Sequence, residues 1–229
     1  MANIIYGKNS FFEALNNNRI ICAYVIDDSE IKDKHINYKK VDRKTLDKMS
    51  KSGNHQGYLA QVKDFKMSSV DEMIKESNGL IVMLDGLEDV HNLGAIIRTC
   101  ECAGVDGIIY KSHGSVKVND TVAKVACGGL EYMKICEVTN LTNTLQKLKN
   151  KGYWIVGADG KGDSLYTDLN YDFNTVLVIG SEGKGISRLV MEQCDYVVKL
   201  PMLGKVTSLN ASVAAGILIY NVLSKRGTH

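Results

Sequence analysis

Polar side chains interrupt three apolar stretches in the second half of the chain, each just after a run that reads as a buried strand. The first stretch is LDGLEDVHNLGAIIRT, residues 84–99. Wound at 100° per residue, Leu93, Ile96, Ile97, Cys100 and Gly104 form one apolar stripe. Arg98 falls on the other side among Gly94, Ala95 and Cys102. A guanidinium between small side chains suits a polar group that approaches closely, and its planar fork of donors fits a phosphate. The same spacing also fits a surface arginine on an amphipathic helix. Asn92 stands where it would cap that helix.

The second stretch is TVLVIGSEGKGIS, residues 175–187, where an apolar run meets Gly180, Gly183 and Gly185. Glycines let a backbone approach a ligand and expose its amides. Neither the P-loop pattern nor the dinucleotide fingerprint is present, and Glu182 argues against a bound phosphate. A plain strand-to-helix turn is the other reading. The third stretch is VVKLPMLGKVTSLNASVAAGILIY, residues 197–220, with the only proline, Pro201, at a strand exit. Ser208 reads as the N-cap of a final helix that carries no charge before Lys225. A helix apolar on most faces is buried in a core or an interface. Asn210, in its first turn, is expected half-buried and hydrogen-bonded. Ser208 and Asn210 also fit a purely capping role.

The elements that must position these residues alternate. GLIVMLDG, YWIVGA and TVLVIG read as strands buried on both faces, with a shorter GIIY and VVKLP. Helical patterns lie between them at NLGAIIRTCECAG, TVAKVACGG and LTNTLQKLKNKG, the last stopped by Gly152. Strands alternating with helices predict an α/β fold with a parallel sheet, and such sheets bind ligands at the carboxyl ends of their strands. The first segment reads as helix 7–16, strand 20–26, helix 43–51 and strand 57–63. Polar residues 64–78 read as the connection between domains.

The bulk composition excludes several classes. The 229 residues are 45% hydrophobic and 24% charged, ordinary for a folded chain. Net charge is +2, which does not mark a nucleic-acid binder. Residues 1–64 hold 11 Lys/Arg against 8 Asp/Glu, so the positive excess lies where phosphate contacts would be favoured. Six cysteines, at 22, 100, 102, 127, 136 and 194, form no metal-ligand spacing with histidine. They read as free thiols of a reducing cytoplasm. No signal-peptide pattern opens the chain and no apolar run is long enough for a membrane span, so neither membrane nor metal is expected.

Taken together, the three stretches resemble the SpoU (TrmH-like) family of RNA 2′-O-methyltransferases. Its first motif reads here as Asn92, Gly94 and Arg98. Its second is Gly180-Ser181-Glu182-Gly183-Lys184-Gly185. Its third is Leu200-Pro201-Met202 with Ser208-Leu209-Asn210. Ile5-Tyr6-Gly7, Glu13-Ala14-Leu15 and His55-Gln56-Gly57 are similar to the small RNA-recruiting domain of one subgroup, which itself resembles certain ribosomal proteins. The likeness covers nearly the whole chain and points to the bacterial enzymes acting on a guanosine ribose of 23S rRNA. Ala211 and Cys127-Gly128-Gly129 depart from the usual pattern without touching the polar motif residues.

The resemblance implies an RNA-binding domain at 1–64, a linker at 65–78 and a trefoil-knotted catalytic domain at 79–229. It implies S-adenosylmethionine as cofactor, held near Gly180, Leu200 and Leu209, and a homodimer acting on structured RNA. The implied catalytic set is Asn92, Arg98, Glu182, Ser208 and Asn210. The same reaction on tRNA is the nearest alternative, and a non-catalytic RNA-binding protein of this fold is another. A dinucleotide-dependent dehydrogenase is disfavoured by the missing fingerprint.

Overall fold

A computed structural model describes residues 3–51 and 54–227. The strands, in chain order, are β1 (Asn3–Tyr6), β2 (Ile20–Val25), β3 (Tyr38–Lys40), β4 (Tyr58–Val62), β5 (Leu80–Asp85), β6 (Gly107–Lys111), β7 (Ile135–Val138), β8 (Trp154–Ala158), β9 (Ser164–Leu165), β10 (Thr175–Gly180) and β11 (Tyr196–Lys199). The helices are α1 (Lys8–Asn16), α2 (Arg43–Ser50), α3 (Val90–Cys102), α4 (Asp120–Val125), α5 (Leu141–Lys149), α6 (Arg188–Met191) and α7 (Ala211–Lys225). They form two compact units. One combines residues up to Lys66 with Val118–Tyr132, the other Met67–Lys117 with residues from Met133 on.

The first unit is built on a sheet of order β1-β4-β2-β3, antiparallel except for β2 with β3. The apolar side of α1 supplies Phe11, Ala14 and Leu15 to a core with Ile5, Val25, Ile31, Tyr58 and Ala60. Burying each large side chain of this kind contributes roughly 1.5–3 kcal/mol. Gly7 has no side chain to cap α1, and Gln56 substitutes, its carboxamide oxygen accepting the Lys8 N–H at 2.9 Å. Asp42 caps α2 by accepting from Thr45 N–H. Residues 118–132 join this unit through a half-buried Arg19–Glu131 ion pair and through Lys124, whose Nζ lies 4.6 Å from the Tyr6 ring centroid. Burial pushes the Glu131 carboxyl up in spite of Arg19, whose charge works in the opposite direction.

The second unit carries a seven-stranded sheet of order β7-β6-β5-β10-β8-β11-β9 in which every pair is parallel. All six residues of β5 and the first five of β10 are buried, as their unbroken apolar runs require. The chain lays β5, β6 and β7 outward in one direction, crosses over for β8 and β9, and then returns β10 between β5 and β8. The β5/β10 boundary is therefore where the winding direction reverses. Residues 65–78, polar in sequence, hold a 3-10 turn whose Val70 and Met73 are buried in this unit's core. At the amino ends of the strands, Arg226 beyond α7 donates to the carbonyls of Tyr171, Phe173, Asn78 and Gly79 and to the Thr175 hydroxyl.

Two expected caps fall elsewhere. The N-cap of α3 is Asp89, whose carboxylate accepts the His91 N–H, and Asn92 lies inside the first turn, buried. The N-cap of α7 is Asn210 rather than Ser208. Its side-chain oxygen accepts from Ser212 and Val213 N–H groups, and a carboxamide reaching amides two and three residues on is the better-placed acceptor. Strands β1, β3, β7 and β9 were not expected. They have two to four residues, and no periodicity survives at that length.

Candidate active site

In an open parallel sheet a crevice forms at the carboxyl ends of the strands where the winding reverses, because the two flanking loops leave in opposite directions. Here those strands are β5 and β10, in register with Asp85 opposite Gly180. The loop after β5 leads into α3 and Asn92. The loop after β10 carries Glu182. Both loops and the start of α7 meet there.

The β10 loop is a tight turn closed by two hydrogen bonds between Ser181 and Gly185, at 3.1 and 2.9 Å. Gly183 and Gly185 adopt φ +83° and +66°, the left-handed region that glycine enters without strain. A Cβ at Gly180 would overlap the Gly185 carbonyl carbon, so that position admits no side chain. Neighbouring loops pack close by: a Cβ on Gly86 would lie 3.6 Å from Ser181 Cβ, and one on Gly185 would lie 2.9 Å from Asp159 Oδ2.

Two motif side chains and one backbone amide converge on one carboxylate oxygen. Glu182 Oε1 accepts from Asn92 Nδ2 at 3.0 Å, from Asn210 Nδ2 at 2.9 Å and from the Ala211 N–H at 3.0 Å. Asn210 Nδ2 also donates to Asn92 Oδ1 at 2.8 Å. The Ala211 amide is the first of α7, so the carboxylate sits at the positive end of a helix. This network ties the β10 loop to α3 and α7 through one oxygen of Glu182.

Arg98 and Ser208 are close to Asn92 and Asn210 in the sequence. Arg98 is exposed on α3, six residues and roughly 9 Å of helix rise beyond Asn92. The side of α3 away from it buries Leu93, Ile96, Ile97 and Cys100. Helix α7 crosses α3 near Thr99, whose Cγ2 would lie 3.8 Å from a Cβ on Gly216. Ser208 lies in the exposed stretch 201–210, two residues before Asn210. Gly180, Leu200 and Leu209 belong to the same carboxyl end: Leu200 follows β11, two strands from β10 and so roughly 10 Å across the sheet. Leu209 precedes the Asn210 cap.

Asp85 is the site residue that sequence reading missed. It looks like turn punctuation before Gly86, but its buried carboxylate accepts the Ser187 N–H at 2.7 Å and so fixes the far side of the β10 loop. A carboxylate closing an otherwise apolar strand was the available signal. Among the described residues no group of three or more His, Cys, Asp or Glu could hold a metal ion, and no helix is long and apolar enough to cross a membrane.

Residues 79–220 match the family model described as the SpoU rRNA Methylase family, and residues 4–68 match one described as RNA 2′-O ribose methyltransferase substrate binding. The TrmH family tRNA/rRNA methyltransferase YacO of Bacillus subtilis (strain 168) is 40% identical over 97% of this chain and 95% of its own. An AdoMet-bound rRNA methyltransferase from Sinorhizobium meliloti superposes with a TM-score of 0.88, covering 100% of this chain and 88% of its own at 20% identity. The SpoU methyltransferase AviRb from Streptomyces viridochromogenes, in complex with AdoMet, gives 0.85 over 99% and 91% at 21% identity.

Proposed function

The chain belongs to the SpoU rRNA methylase family, and from that membership we propose that it methylates the ribose 2′-hydroxyl of a guanosine in 23S rRNA. As a member it is an S-adenosylmethionine-dependent RNA methyltransferase; the 2′-oxygen, the guanosine and the 23S rRNA are what we add. The observation that carries the reading is the shared hydrogen bonding of Asn92, Glu182 and Asn210 at the β5/β10 reversal.

The residues fit the cofactor. The tight glycine turn after Gly180 keeps the carboxyl end of β10 free of side-chain bulk, and Leu200 and Leu209 offer apolar surface for an adenosyl group. The carboxylates of Asp85, Asp159 and Glu182 suit a phosphate-free cation, whereas they would repel a nucleotide phosphate. S-adenosylmethionine, when bound, supplies a methyl group already activated by its sulfonium.

The protein then has two tasks, alignment and charge stabilisation. Alignment can contribute roughly 7–11 kcal/mol in favourable cases. Asn92, Ser208 and Asn210 fix the ribose, and Glu182 holds the two carboxamides in place. Arg98 clamps the adjacent phosphate and stabilises the developing alkoxide. A guanidinium stays protonated in proteins and is a poor base, so the proton leaves to the phosphate oxygen or to solvent. The first unit, with the positive excess of residues 1–64, holds the RNA by its shape and its unstacked loop bases. The same reading includes a trefoil-knotted closure of the second unit and a cytoplasmic homodimer that covers exposed Val213, Ile217 and Tyr220 of α7.

Mapping 2′-O-methylation in total RNA from cells with and without the protein tests the assignment. Loss of one guanosine mark in 23S rRNA is expected. A lost mark in tRNA moves the substrate to tRNA, and an unchanged map with no S-adenosylmethionine binding leaves a non-catalytic RNA-binding protein.

A further inference from the structure

The reaction uses the second unit's crevice and leaves a concave feature of the first unit without a role. A cleft of about 310 Å³ opens between the loop after β2, the start of α2 and the turn into β4, lined by Ile26, Asp27, Arg43, His55, Gln56 and Tyr58. Its walls are fixed. His55 is buried, donating from Nε2–H to Asp47 Oδ1 at 3.1 Å and accepting the Gly57 N–H on Nδ1 at 2.9 Å. Gln56 is held at φ +53°, in the left-handed region, with its side-chain oxygen bound to the Lys8 amide. The Tyr58 ring packs against Phe11 and Phe12 at centroid separations of 5.1 and 5.2 Å. Walls of this kind bind without an ordering cost.

The rim is chemically mixed. Arg43 offers a fork of donors and Asp27 a pair of acceptors. Ser29 orients the Asp27 carboxylate, its N–H and O–H each bonding one oxygen at 3.0 Å, and these bonds hold the carboxyl below its ordinary range. Each oxygen keeps further acceptor capacity. An ionised carboxylate repels a phosphate, which argues against a site for the RNA backbone. A base presents both donors and acceptors on one edge of an apolar plane. Guanine is the RNA base with two adjacent donors, N1–H and N2–H, beside an acceptor, O6, and guanidinium donation to guanine O6 is a common recognition contact.

We propose that this cleft binds one unstacked guanine of the RNA, Asp27 accepting from N1–H and N2–H and Arg43 donating to O6. The proposal rests on the reading of the chain as an RNA methyltransferase and adds a base-specific contact away from the reacting ribose.

The test is a binding titration of the full chain with two stem-loop RNAs whose loops differ only in one guanine or one inosine, which lacks the N2 amino group. Wild-type protein should bind the inosine loop roughly 5- to 20-fold more weakly. Asp27→Asn should bind both loops weakly and equally, and Arg43→Ala should weaken the guanine loop by a similar factor. Unchanged amide hydrogen exchange of β2 and β4 in both variants shows that the first unit, which carries both positions, is folded. Equal wild-type binding to the two loops, or an undiminished guanine preference in Asp27→Asn, overturns the proposal. Absence of methyl transfer beside an intact guanine preference would remove the catalytic reading alone.

Discussion

Asn92 and Asn210 lie 118 residues apart in the chain, yet Asn210 Nδ2 donates to Asn92 Oδ1 at 2.8 Å, and both carboxamides donate to the same oxygen of Glu182. Two helix starts and one strand-end turn are thereby held as one piece. The carboxylate that binds them is a positioning group, since its Oε1 is engaged by three amide donors.

Glu182→Ala removes the common acceptor and leaves two carboxamides and the Ala211 amide without it. A loss of about 1–2 kcal/mol in unfolding free energy is expected, with methyl transfer down about 100-fold from lost alignment. Glu182→Gln retains an acceptor oxygen and should recover most of the stability. Urea unfolding and single-turnover methylation of both variants check this; equal damage from the two substitutions would give the charge, rather than the acceptor, the main role.

Gly180→Ala places a methyl group on the Gly185 carbonyl carbon. The turn from Ser181 to Gly185 must open, at a cost of roughly 1–3 kcal/mol. Cofactor affinity should fall with it, measured by calorimetric titration. Gly183→Ala is the control: its Cβ meets nothing within 4 Å, so only the backbone strain of φ +83° remains.

Arg98→Ala should lower methylation by about 100- to 1,000-fold, as loss of a donor to a developing oxyanion does. Arg98→Lys keeps the charge but not the fork, and should recover a small part of the rate. Steady-state assays on ribosomal RNA decide this. Near wild-type rates for Arg98→Ala would remove Arg98 from the chemistry.

Glu131 should make the first unit lose stability as pH rises out of the acid range. Burial raises its folded-state pKa, so the folded chain holds the proton longer than the unfolded chain, whose glutamate titrates near about 4.3. The associated stability is fully present below that value and is lost as pH rises through the raised one. Glu131→Gln should flatten the fall. Unfolding midpoints taken from about pH 4 to 7 for both forms would show it, and parallel curves would place the sensitivity in another group.

Much of this architecture is legible from residue order. The unbroken apolar runs of β5, β8 and β10 signal strands buried on both faces, and the three polar interruptions mark the carboxyl end of the sheet. Strands β1, β3, β7 and β9 are too short to leave a pattern. Helix α4 has a readable period, but periodicity says nothing of partners, and its place in the first unit depends on Arg19–Glu131 and Lys124–Tyr6, pairs over a hundred residues apart. The caps at Asp89 and Asn210 were displaced because Asn92 and Ser208 have the right chemistry two or three residues from the right place. Glu182 was legible as a loop carboxylate; that it accepts from both asparagines was not, because a shared acceptor is a property of folded loops.

The most direct test is transfer of an isotopically labelled methyl group from S-adenosylmethionine to ribosomal RNA free of modification, followed by nuclease digestion and mass analysis of the nucleosides. One labelled 2′-O-methylguanosine, absent with Arg98→Ala, is the expected result. Label on a base, or none in any RNA at enzyme concentrations that bind the cofactor, would contradict a crevice built to align a methyl group with a ribose oxygen.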